Sequence, residues 1–297
     1  MKFRVIFLKK KHIIYFFVIL ILIIILILAL VSHKKSVETF GSAVENKTIK
    51  TDLTGDGKDD LLYINNKNGK YYINVSTNEK IIPFEPQKSL NTLGTNYTYW
   101  PMRITLMDIT KDKVPEIFIQ SSENDKPIQH VFKWNTNKFD DILCSQNSLI
   151  GFSNYSKKEP VFISGTYSDN SIKLISYVLI NNTMQNFNID NRSNFMGKNT
   201  VTKLLNYIEN YSSTGKNKPS DIFAPNISDT YLKNLDKLTA RNNKCIFEDG
   251  RFEDTKCDKN GKISEAIWII NFKSENKSQN KNINGYTLTL FLKNYKN

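Results

Sequence analysis

Histidine and cysteine are scarce, with three of each in 297 residues. His12 and His33 flank a long apolar run and read as interfacial, which leaves His130 as the one imidazole of the remainder. No H-E-x-x-H, G-x-S-x-G or P-loop pattern occurs, so zinc-protease, serine-triad and phosphate-cradle chemistry have no motif to stand on. A thiol nucleophile would have to be Cys144 with His130 as its base, and neither lies in the usual local context. Cys144 sits among apolar neighbours and reads as a small buried residue. Paired-carboxylate chemistry finds no selected pair, and Asp140-Asp141 reads as a turn. The expectation is a protein that is not an enzyme.

Acid is missing from residues 1–35, and this changes the meaning of the net charge of +12. Seven of the 41 basic residues fall in that segment, leaving 34 against 29 acids in the rest. A mild excess without a basic stripe argues against nucleic acid as a partner and leaves attraction to an anionic wall polymer or lipid surface open. Charge and proline are also missing from Ile13 to Val31, an unbroken apolar run of nineteen residues. That is long enough to cross a bilayer as a helix. Lys2, Arg4, Lys9, Lys10 and Lys11 precede it and Lys34 and Lys35 follow, which puts the N-terminus in the cytoplasm and the bulk outside. The rival is a cleaved signal peptide. The run is longer than an ordinary signal core and Ala29-Leu30-Val31 is a poor cleavage match, so an uncleaved anchor is expected. No cysteine follows the run to carry a lipid.

What the chain does have is an acidic loop, Asp52-Leu-Thr-Gly-Asp-Gly-Lys-Asp-Asp60. Oxygen side chains stand at Asp52, Thr54, Asp56 and Asp60, with glycines at 55 and 57 to let the backbone curl. A hard cation such as Ca2+ takes several oxygens, and a tight acidic loop supplies them. Lys58 would contribute its carbonyl. The alternative is a solvated turn using Asp and Gly for their turn chemistry. An EF-hand needs an acid at its twelfth position, and here that position is Tyr63. A dockerin-like loop would lead into a helix. Instead Leu61–Ile64 and Tyr71–Val75 are strand-like and flank the hairpin signal Asn68-Gly69.

A calcium loop set between strands resembles the FG-GAP/VCBS repeat of integrin-α-type β-propellers, whose pattern runs D-x-[DN]-x-D-G-x-x-D-[LI]. Asp52, Asp56, Gly57, Asp60 and Leu61 match, and Thr54 departs from the usual Asn or Asp. The resemblance implies one bound Ca2+ and a role in adhesion or ligand binding at the cell surface.

The same spacing recurs 56 residues on as Asp108, Thr110, Asp112 and Glu116, followed by Ile117–Ile119. Lys111 and Lys113 replace both glycines with charge of the wrong sign, so this second loop is the weaker metal candidate. Lys157-Lys-Glu-Pro160-Val-Phe-Ile is a third, fainter echo that lacks the aspartate pattern of a site, and strand-like runs continue over Ile172–Ile180. Repeats of this length are the mark of propeller blades. About three fit, too few for a closed ring. The expected fold class is an N-terminal transmembrane helix, an antiparallel, blade-like, abbreviated propeller-type domain, and a small α+β domain. Asn96–Thr105 reads as a strand. Tyr97, Tyr99, Trp100 and Trp134 suit a β core better than a sugar-stacking surface.

Beyond an asparagine-rich stretch at 181–199 the period changes. Val201, Leu204, Leu205, Ile208 and Tyr211 fall at helical spacing, and Ser228 caps a second helix with Tyr231, Leu232, Leu235 and Leu238 inward. Strand candidates follow at Lys244–Glu253, Ile263–Phe272 and Tyr286–Lys293. The order resembles NTF2-like or cystatin-like folds. Cys245 and Cys257 bracket Asp249-Gly250, which looks like a hairpin tip, and a disulfide across it is one reading; two unpaired thiols is the other.

The expected organisation is a cytoplasmic tail over 1–12, a membrane helix over 13–31, a stalk over 32–48, an FG-GAP-like β domain over 49–190 and an α+β domain over 191–297. The expected function is a membrane-anchored, extracytoplasmic, non-catalytic binding, adhesion or structural module, with a cell-surface protein or wall polymer as partner. The alternative is an extracytoplasmic hydrolase of envelope glycans or lipids with its site in the C-terminal part.

Overall fold

The computed structural model describes residues 41–42, 48–153, 160–187, 195–214, 219–225, 227–238, 243–276 and 283–294, with Leu20 besides. The chain divides into Met1–Thr39 and Phe40–Asn297. The tail, His12, His33 and, but for Leu20, the apolar run over 13–31 lie outside the described residues. No helix among those described is long and apolar enough to cross a membrane.

Three antiparallel meanders succeed one another along the second unit. The first is β2 (Ile49–Thr51), β3 (Asp60–Lys67), β4 (Lys70–Ser76) and β5 (Ile81–Pro83). The second is β6 (Arg103–Met107), β7 (Glu116–Glu123), β8 (Lys126–Asn135) and β9 (Lys138–Ser145). The third is β10 (Leu149–Ser153), β11 (Val161–Ser168), β12 (Ser171–Ile180) and β13 (Thr183–Asn186). Each is a four-strand blade in sequence order, as the repeat spacing predicts. Gly41–Ser42, expected in a stalk, forms β1 and pairs antiparallel with β6. Asn96–Thr105 is not one strand: pairing starts only at Arg103, and Trp100 is buried before it.

Side-chain alternation stacks the blades. In β3 and β4, Leu62, Ile64, Tyr71, Ile73 and Val75 face inward, the period-2 outcome of a strand with one buried face. β7 is buried on both faces. Its Ile117 and Ile119 join the first-blade core, while Phe118 turns the other way to meet Phe152 and Phe162 of the third blade. The second blade is therefore an inner layer, and β7 is buried on both faces although only Ile117, Phe118 and Ile119 of its eight residues are apolar.

The C-terminal part begins with α1 (Lys198–Thr214) and α2 (Asp229–Leu238). Ser228 Oγ accepts from Thr230 N at 3.3 Å, as an N-cap should. Val201, Leu204, Leu205, Ile208, Leu235 and Leu238 cover the outer face of the third blade. Tyr231, expected inward, is 68 % exposed; the buried stripe of α2 consists of Leu235 and Leu238.

Strands β14 (Asn243–Cys257), β15 (Ile263–Asn276) and β16 (Ile283–Lys293) do not make a sheet of their own. β14 pairs parallel with β10, so that one seven-stranded sheet, β13-β12-β11-β10-β14-β15-β16, runs across the boundary expected at residue 190. Asp249-Gly250 is not a hairpin tip but the middle of β14. A Cβ on Gly250 would come to 3.0 Å from both Leu149 and Ile270, so the bare backbone is what lets neighbours close in on both sides. Cys245 and Cys257 then stand at opposite ends of one strand. Twelve residues at a strand's rise separate them by about 40 Å, far beyond the reach of a disulfide. The Cys245 thiol donates to Leu238 O at 3.0 Å instead.

Candidate functional site

The loop from Asp52 to Asp60 bridges β2 and β3 and is held by its own backbone. Asp52 Oδ1 accepts from Gly55 N at 2.6 Å and Thr54 N at 3.2 Å, and Oδ2 accepts from Gly57 N at 2.9 Å. Asp56 Oδ1 accepts from Lys58 N at 2.8 Å. Asp60 turns inward: its Oδ2 accepts from Leu53 N at 2.8 Å and from the Thr54 hydroxyl at 3.1 Å. Gly55 and Gly57 sit at φ 78° and 81°, a region that costs glycine nothing.

The second loop repeats this pattern. Asp108 accepts from Lys111 N at 2.6 Å and Lys113 N at 2.9 Å, and Asp112 accepts from Val114 N at 2.9 Å. Glu116 accepts from Ile109 N and from the Thr110 hydroxyl, each at 3.0 Å. Lys111 and Lys113 take the left-handed conformation of the two glycines, at φ 62° and 72°. The loops are neighbours, since a Cβ on Gly55 would meet Val114 Cγ2 at 2.7 Å.

They differ in their charge environment. Lys133 Nζ of β8 lies over the second loop and donates to Asp112 Oδ2 at 2.8 Å, Glu116 Oε1 at 3.0 Å and Thr110 Oγ1 at 3.4 Å. Burial by itself would lower the Lys133 pKa, but its bonds to Asp112 and Glu116 outweigh it and hold the pKa above the ordinary lysine value. Burial likewise opposes, and the Lys133 bond overcomes, in keeping Asp112 below the usual carboxylate range. In the first loop Asp60 is fully buried, and its Oδ1 has no hydrogen-bond partner among the described residues. A buried carboxylate oxygen without a partner is costly.

Among the described residues, no group of three or more His, Cys, Asp or Glu side chains is gathered around one point for a metal. The donors fit a hard cation in kind: carboxylates of Asp52, Asp56 and Asp60, the Thr54 hydroxyl and the Lys58 carbonyl are all oxygens, and Asp60 Oδ1 is the unused buried one.

The other sequence candidates separate. His130 and Cys144 are cross-strand neighbours, but His130 is fully buried and its Nδ1 is bonded to Asp141 Oδ2 at 2.7 Å. Burial pushes the Cys144 thiol up, with the Asp141 charge adding to it, the wrong direction for a nucleophile. Asp140 and Asp141 lie within β9 and not in a turn. Trp100 is core, while Tyr97 and Tyr99 stack at 5.2 Å on a half-buried loop.

One feature escaped sequence reasoning. Asp249 is buried between the second blade and the C-terminal strands, where it accepts from Arg103 Nη1 at 2.7 Å, Trp100 Nε1 at 2.6 Å and Asn271 Nδ2 at 2.7 Å. Next to it Glu248 has neither oxygen partnered among the described residues, and burial, with the Asp249 charge, pushes its pKa up to about 8. These partners are far apart in sequence, so no local signal announced them. A separate groove of about 600 Å3 opens between the blades. Lys80, Glu85, Gln87, Lys138, Asp140 and Thr183 stand along it, and no described residue of 191–297 lines it.

Two acidic loops, each set between the first two strands of a four-strand antiparallel meander, fit an all-β repeat domain. Over residues 52–119 the sequence matches the FG-GAP-like repeat family, so the chain carries an FG-GAP-like repeat spanning both loops and the first hairpin. No curated protein and no solved structure matches the chain at a significant level.

Proposed function

We propose that the chain is a membrane-anchored, extracytoplasmic binding module, non-catalytic, whose first acidic loop is stapled by one Ca2+. The observation that carries the reading is Asp60: a fully buried carboxylate with an unpartnered oxygen, in a loop whose other donors are all oxygens. Asp52, Thr54, Asp56 and Asp60 supply side-chain ligands and Lys58 its carbonyl. The ion neutralises the loop and ties β2 to β3; it performs no chemistry. Residues 13–31 hold the protein in the membrane with the C-terminal bulk outside. The inter-blade groove, with both signs of charge, is the surface on which a cell-surface protein or wall polymer would dock.

Calcium titration of the full chain in detergent by calorimetry, with thermal melts in calcium and in chelator, tests this. One site and a rise in melting temperature with calcium are expected, and Asp56→Ala should remove both. No heat and no shift at millimolar calcium would make the loop an ordinary turn.

A further inference from the structure

We propose that Lys133 is the resident cation of the second loop, a covalently tethered ammonium standing where the first loop takes a divalent ion, and that the residue at this one strand position decides which loop depends on metal. This rests on the calcium reading of the first loop.

The two loops are in register throughout. Asp60 pairs with Thr51 and Glu116 with Met107, Leu61 with Ser76 and Ile117 with Phe132, each a shift of 56 residues. The backbone bonds to Asp52 and Asp108, to Asp56 and Asp112, and to Asp60 and Glu116 recur at the same relative positions. By that shift, Lys133 corresponds to Thr77, the residue just past β4. Among the described residues Thr77 makes only local side-chain bonds: its hydroxyl donates to Lys80 O at 3.1 Å and accepts from Glu79 N and Lys80 N. Threonine brings no charge, and the fully buried Asp60 keeps an oxygen without a partner among the described residues. Lysine at the matching place reaches Thr110, Asp112 and Glu116, the counterparts of Thr54, Asp56 and Asp60. An ammonium satisfies three acceptors at hydrogen-bond distance. A divalent ion would satisfy more oxygens more closely, and it cannot enter while the ammonium is present.

The test exchanges the two residues in the full chain in detergent, with calcium stoichiometry from calorimetry and melting temperatures in calcium and in chelator as readouts. Wild type is expected to bind one Ca2+. Lys133→Thr should bind one more than wild type, and its melting temperature should fall in chelator and recover in calcium by several degrees. Thr77→Lys should bind one fewer and lose the calcium dependence of its melt. A Lys133→Thr protein that keeps wild-type circular dichroism, gains no calcium and melts unchanged would overturn the proposal. If Lys133→Thr folds only when calcium is present, that supports it. If Lys133→Thr does not fold at all, Thr77→Lys decides, and retention of full calcium binding there overturns the proposal. The two readings fail separately. Wild type binding no calcium while Lys133→Thr binds one removes the calcium staple of the first loop and leaves the role of Lys133 standing.

Discussion

The loops at residues 52–60 and 108–116 reach the same backbone shape by opposite routes. The first uses glycine at its two left-handed positions and leaves a buried aspartate oxygen unpaired among the described residues. The second forces lysine into those positions and sets a third lysine on its acids. The first route has a relaxed backbone and an unbalanced charge; the second has a strained backbone and a balanced charge. Once the charge is satisfied internally, the carboxylate bonds to backbone N–H groups can hold the non-glycine residues at a cost of about 1–2 kcal/mol each. A loop of this shape can therefore remain a strand connector when its acids are balanced by a lysine of the same chain.

The contrast breaks most sharply at Glu116. Glu116→Ala leaves the largely buried Lys133 ammonium short of a partner and strips an acceptor from Ile109 N, so a loss of about 3–5 kcal/mol in urea unfolding is expected. Asp60→Asn should cost much less in chelator, because that oxygen has no partner among the described residues to abandon, while abolishing the calcium response. Gly55→Ala comes next. It puts a Cβ at 2.7 Å from Val114 in a left-handed conformation, and about 2–4 kcal/mol should be lost. The reciprocal change in the second loop, Lys111→Gly, should stabilise by about 1 kcal/mol in the same assay. Destabilisation there would mean that the lysine side chain does work the backbone comparison misses.

The smallest effect is pH-dependent. Asp112 is held below the usual carboxylate range in the folded chain. Its contribution is therefore present above the unfolded value of about 4 and is lost as pH falls through the folded value. Asp112→Asn should flatten the acid limb of the melting curve slightly. Lys133 works at the other end. Its raised pKa gives stability that is present below about pH 10 and fades as pH rises through the folded value.

Local chemistry was readable where neighbours in sequence are neighbours in space. Each copy of the loop, the Asn68-Gly69 hairpin and the Ser228 cap are contained in short windows, and each appears where its residue types demand. β16 likewise turns Leu288, Leu290 and Leu292 to the core and leaves Phe291 78 % exposed. The FG-GAP-like pattern belongs to the same class of signal, because its donors are packed into nine residues.

Strand partners were not readable. A period of two says which face a residue takes, not which strand lies beside it. Asp249-Gly250 has the composition of a turn, and only the parallel insertion of β14 beside β10 makes it the middle of a strand. That placement puts Cys245 and Cys257 at opposite ends and carries Asp249 to Arg103 across 146 residues. Lys133 is the same case on a smaller scale. It lies 17 residues beyond Glu116, on the far strand of a hairpin, and looks like any exposed lysine until β8 folds back over the loop. By itself the sequence determined the loops and the blades, because backbone conformation and hydrogen-bond donors are local. The tertiary structure alone decided that Lys133 sits on the acids of the second loop and where the C-terminal strands go, because both depend on contacts that only strand pairing brings together.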